Sequence, residues 1–231
     1  MKIDPKSDNT GSYAIRGVGL GILYMVVALI GQQFVQSMPV IIFLFYHGFN
    51  VSSLLTLYTK LIVRNYILYS IFIGIVAGVF QESSTYIAVD TRNKNVAIYI
   101  GVGFAVVDIA ILLAEMLFYR KPISSFQSLI IFLNVISPLL FHPGTATFMK
   151  WGRLVDKGKL TLLLSIFLHF IVDGGLVYTD FYIIFHPSLY HISVYEYWSM
   201  VMILSVGIFI AGTMLLRSAE DIEIPPEPVV Y

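Results

Sequence analysis

Apolar segments bounded by charge or proline recur along the chain at about 17 to 48, 66 to 89, 96 to 118, 125 to 149, 160 to 184 and 197 to 216. About 20 such residues suffice to cross a hydrocarbon core ~30 Å thick. Within that core a chain must satisfy every backbone N–H and C=O internally, which leaves helices and closed barrels. The pattern predicts an all-α fold, a polytopic membrane helix bundle of about six transmembrane helices. Composition agrees: 58% of the 231 residues are hydrophobic and 12% charged, against about a quarter charged in a soluble domain. A soluble globule is excluded.

The 14 basic and 14 acidic residues cancel and form no block of like charge, so the chain carries no nucleic-acid footprint. The expected partner is the lipid bilayer. With no cysteine, disulfides and thiolate metal sites are excluded; a divalent metal would need His or carboxylate ligands, and nothing in the sequence requires one.

Orientation follows from Lys and Arg, which favour the cytoplasmic side of short loops. Six spans with the N-terminus inside place ten basic residues there: Lys2, Lys6, Arg16, Arg92, Lys94, Lys150, Arg153, Lys157, Lys159 and Arg217. Four, Lys60, Arg64, Arg120 and Lys121, stay outside. The first segment, 32 residues and thus ~48 Å long as one helix, contains Gln32, Gln33, Gln36, Ser37 and Pro39. It can be one kinked helix or two short ones, but splitting it would redistribute the basic residues as seven against seven. The expected organisation is a cytoplasmic arm (1–16), a transmembrane region (17–216) and a flexible cytoplasmic tail (217–231) in a multi-pass protein of the cell membrane. The apolar run after residue 16 is too long for a signal-peptide core and lacks a cleavage site, so it is read as a retained helix.

Charged side chains at the centre of a membrane helix cost roughly 2.5 to 3.5 kcal/mol on insertion scales, so they usually face the interior and are functional candidates. Glu82, Asp108, Glu115, His142, His169, Asp173 and Asp180 all fall within spans. Gly74, Gly78 and Glu82 form an i, i+4, i+8 line, and Ser165, His169 and Asp173 form another. The glycines permit close helix approach. At ~1.5 Å per residue from the cytoplasmic helix ends, Glu82 and His142 sit ~10 Å deep, His169 ~14 Å, Asp108 ~18 Å and Asp173 ~20 Å. Four helices can thus converge in one half of the membrane, with Glu115 and Asp180 nearer the far side. A carboxylate or imidazole can take a proton from water while a second imidazole polarises a carbonyl.

These residues carry a family resemblance. Ala77-Gly78-Val79-Phe80-Gln81-Glu82-Ser83-Ser84-Thr85-Tyr86-Ile87 resembles the segment of YhfC-type intramembrane peptidases in which a Glu-Glu pair is followed by Arg and an aromatic. Gly101-Val102-Gly103-Phe104-Ala105-Val106-Val107-Asp108 is similar to that family's G-x-G-H-G-G-x-E. Phe141-His142 and Leu168-His169-Phe170-Ile171-Val172-Asp173 resemble its lone membrane His and its H-x-x-x-N/D. The likeness runs over roughly residues 30 to 185, and the wider group includes the CAAX prenyl endopeptidases. It implies a peptidase acting on membrane-embedded peptide or protein segments, with Glu82 as acid, Asp108 as the second-motif carboxylate, and His169 with Asp173 as the oxyanion pair. Gln81 and Phe104 replace the expected Glu and His, and Thr85 or Tyr86 stands for the Arg. His142 is the available substitute for a missing His; a descendant that binds without cutting is the other form the likeness allows.

The alternative class is a small transporter or proton-coupled carrier using the same acids as relay sites, with a path past Glu115 or Asp180. Gln32, Gln33 and Gln36 read as helix glue, Gly17, Gly19 and Gly21 as a packing surface, and His47, His186 and His191 as solvated loop residues. Tyr190, Tyr195, Tyr197 and Trp198 read as an interfacial belt.

Overall fold

The computed structural model describes residues 9–90, 93–118 and 123–219. Most of the expected arm and tail, and the orientation signals Lys2, Lys6, Arg92, Arg120 and Lys121, lie outside the described residues. Among those described the chain is all-helical: α1 (Asn9–His47), α2 (Val51–Leu57), a π-helical turn (Tyr58–Val63), α3 (Tyr66–Asp90), a 3₁₀ turn (Lys94–Val96), α4 (Ala97–Leu117), α5 (Ser125–Leu154), α6 (Gly158–Phe185), a second 3₁₀ turn (Pro187–Leu189) and α7 (Tyr190–Ser218). Six of these, all but α2, are long and apolar enough to cross a membrane. The protein is a multi-pass membrane protein by that criterion.

The first segment is one helix, with Pro39 inside it. It starts eight residues before the expected boundary, because the stretch from Asn9 to Arg16 contains no proline to stop it. It ends where Gly48 takes φ 89° and its N–H bonds back to the Leu44 carbonyl at 2.8 Å, a left-handed cap that glycine adopts without a Cβ penalty. Asn50 then caps α2 by accepting from the Ser53 N–H. Ser124 opens α5 with a reciprocal capping box to Gln127. At the far end of α5, Asp156 at φ 57° lets the Lys157 N–H reach the Gly152 carbonyl at 2.6 Å, and α6 starts one residue later.

The described residues form two compact units. One comprises Val26–Ser83 and Leu163–Leu204. Here α3 and α6 meet at backbone distance: a Cβ on Gly74 would stand 2.7 Å from the Phe170 carbonyl oxygen, and one on Gly78 2.7 Å from that of Ile166. The second segment of α1 joins α3 through amides, Gln81 Nε2 donating to Gln32 Oε1 at 3.0 Å and Gln36 Nε2 to the Ile73 carbonyl at 3.2 Å. Gln32 and Gln36 are glue, as the sequence implies, whereas Gln33 is exposed. Tyr197 of α7 donates to the Val172 carbonyl at 3.1 Å.

The other unit comprises the chain through Met25, Ser84–Leu162 and the chain from Ser205. Gly17 and Gly21 of α1 pack on Val96, Tyr99, Ile100 and Gly103, whereas Gly19 has nothing within 4 Å. Only the i, i+4 pair of that series makes a packing surface. Gly101 lets α4 lie against the His142–Pro143 backbone, and Gly144 and Gly212 do the same for α5 and α7.

Candidate functional site

The glycine line on α3 determines where Glu82 goes. With Gly74 and Gly78 pressed against α6, the next residue on that face, one turn further, must also point at α6. Glu82 is fully buried, and its Oε1 lies 2.7 Å from His169 Nδ1. The second line supplies the rest: His169 Nε2 stands 3.4 Å from Oδ2 of Asp173, one turn along α6. Glu82, His169 and Asp173 thus form a row through one imidazole, with a carboxylate at each ring nitrogen. With the hydrogen on Nδ1, His169 donates to Glu82.

The row is asymmetric. Glu82 and His169 are sealed at 0% and 3% exposure, while the Asp173 side chain is 31% exposed. Glu82 Oε2 and the hydroxyl of Ser165, the first residue of the α6 line, are buried with no hydrogen-bond partner among the described residues. Orphaned polar atoms of this kind each call for an explanation, since burying one unpaired costs about 1–3 kcal/mol. A water or the polar group of a substrate would satisfy Glu82 Oε2.

As to a divalent metal, two ligands ~2.1 Å from one tetrahedral ion stand about 3.4 Å apart. Glu82 and His169, at 2.7 Å, would have to exchange their hydrogen bond for it.

In the other unit His142 Nε2 lies 2.7 Å from Asp108 Oδ2. Gly101 brings the α5 backbone onto α4 at His142 and Pro143, and Asp108, seven residues or about two turns along, shares its face. Pro138 and Pro143 sit inside the helix, yet His142 is 3% exposed. Phe104, at the position of the expected second-motif His, is fully buried with its ring centroid 5.7 Å from that of His142.

The remaining sequence candidates separate cleanly. Glu115 and Asp180 are exposed, as are His47, His186 and His191. Gln81 is buried but is directed to Gln32. The aromatic belt needs a correction: Tyr195 is exposed, but Tyr197 and Trp198 are buried. Tyr197 is drawn inward by its bond to Val172 and by Gly175, which offers no Cβ against its ring.

Charge counting gave no sign that Lys150 is buried. It is 1% exposed and donates to the Val89 and Asp90 carbonyls at the end of α3, both at 3.0 Å. A cation there satisfies carbonyls that the helix terminus cannot pair. The missed signal is that Lys150 precedes a helix end by four residues and so stands on the helix rather than in the loop. No family model, curated protein or solved structure matches this chain.

Proposed function

We propose that the chain is a multi-pass peptidase-like protein of the cell membrane, with both termini cytoplasmic, that hydrolyses membrane-embedded peptide segments, as its likeness to YhfC-type proteins implies. The observation that carries this reading is the 2.7 Å contact between Glu82 and His169, buried together and continued by Asp173. In this reading Glu82 takes a proton from water as the oxygen attacks the scissile carbonyl. The proton then passes to the departing amine, and His169 exchanges its 3.4 Å Nε2 contact with Asp173 for a bond to the developing oxyanion. Asp108 and His142 form an acid-base pair of their own in the other unit.

A cavity of about 430 Å³ in the same unit as Glu82, bordered by Gln33, Gln36, Ser37 and Tyr69, offers amide and hydroxyl groups to an unwound peptide. The carrier reading needs an onward path at Glu115 or Asp180, both of which are exposed.

The test uses purified protein in liposomes with peptides that span the membrane. Cleavage should fall at least ~100-fold in Glu82→Gln and in His169→Ala, the usual worth of a positioned acid or base. Cleavage that persists in both variants rejects the assignment.

A further inference from the structure

Around the α5–α6 turn lies a cavity of about 780 Å³ whose lining includes Tyr86, Asp90, Lys150, Arg153, Asp156, Lys157 and Lys159. Four cations and two carboxylates face it, an excess of two positive charges. Their engagements show which are already spent. Arg153 pairs with Asp90 and donates to the Tyr86 hydroxyl at 2.7 Å, with its guanidinium 5.0 Å from the Tyr86 ring centroid. Lys150 is bound to the α3 carbonyls. Lys157 and Lys159 are exposed, the former with its ammonium 5.9 Å from the Trp151 ring centroid.

The remaining carboxylate, Asp156, is exposed in the turn. Gly158 opens α6 against this wall: a Cβ there would stand 2.5 Å from the Tyr86 hydroxyl and 2.8 Å from Arg153 Cδ. The cavity therefore combines a fixed guanidinium, a buried ammonium, two exposed lysines and the positive end of a 28-residue helix whose first turn holds no acid. Trp, Tyr, Lys and Arg gathered at helix ends are also the residues that sit at lipid headgroup level.

We propose that this cavity binds a phosphate group, presented by an anionic lipid headgroup or free in solution. Basic pockets between membrane helices recognise such headgroups by charge and hydrogen bonding. The proposal is independent of the peptidase reading, because none of these residues belongs to the Glu82 row.

Thermal unfolding of the full chain in detergent, at constant ionic strength, tests it with three additives: phosphatidylglycerol, phosphatidylcholine and inorganic phosphate. A saturable rise in Tm with phosphatidylglycerol and none with phosphatidylcholine identifies the lipid as the source; a matching rise with inorganic phosphate identifies the free anion. In Lys157→Gln/Lys159→Gln the half-saturating concentration should increase at least about tenfold, the worth of one charged hydrogen bond. Lys60→Gln/Arg64→Gln, which removes two exposed cations elsewhere, should leave it unchanged. Equal responses to both lipids with none to phosphate, or the same loss in both double variants, overturns the site.

Discussion

Gly78→Ala should destabilise the protein and loosen the Glu82–His169 contact together. The new Cβ would stand 2.7 Å from the Ile166 carbonyl oxygen, where ordinary contact begins at 3.4 Å. The backbones of α3 and α6 must therefore separate locally by about 0.7 Å, and overpacking of this sort typically costs 1–3 kcal/mol. Glu82 is one turn along the same face. A comparable displacement would stretch its 2.7 Å bond past the 3.2 Å at which such bonds weaken.

Unfolding in mixed micelles of increasing SDS fraction measures the cost, with Gly19→Ala as reference. Gly19 has nothing within 4 Å, so its substitution should be neutral or should stabilise by up to about 1 kcal/mol through helix propensity. A second measurement separates local crowding from damage to the row. If the bond is already broken in Gly78→Ala, adding Glu82→Gln should cost less than in the parent protein, a coupling of at least 0.5 kcal/mol. Gly78→Ala matching Gly19→Ala in stability, or strictly additive substitutions, would refute the reasoning.

Lys150→Met should lower stability by about 2–3 kcal/mol in the same titration, since two charged hydrogen bonds are lost and the buried Val89 carbonyl loses its donor. Phe104→Ala removes a fully buried ring and should cost about 3–5 kcal/mol, with Phe104→Leu recovering most of it.

Six spans are legible in the sequence because hydropathy over twenty residues integrates many weak signals. The observed helices exceed the expected limits mainly where polar residues continue a helix beyond the apolar run, as at Asn9–Arg16 and Tyr190–Glu196. The short α2 and the π-helical turn after it are missed for the opposite reason, since seven residues are too few to register. The Glu82 row is legible because it is written in four-residue spacing on two helices, each with its own small or polar line. Its partner choice is not: which nitrogen of His169 meets which carboxylate depends on how α3 and α6 are set against one another, a tertiary quantity. The direction of His142 is illegible for a local reason, as two prolines remove the donors that would fix the helix course around it. Lys150 shows a limit of charge counting, which assigns every lysine near a helix end to water, although a long side chain can reach back to another helix's carbonyls.

The close approach of α3 and α6 restricts which replacements evolution can repair. At Gly74 and Gly78 the nearest obstructing atoms are main-chain atoms of α6, which every amino acid shares, so no second change on α6 can make room for a side chain. Gly31 differs, because what stands in its way is the ring of Phe80, and a smaller residue there would clear the space. Paired substitutions at 31 and 80 are therefore open to drift, whereas 74 and 78 offer no compensating partner to drift with.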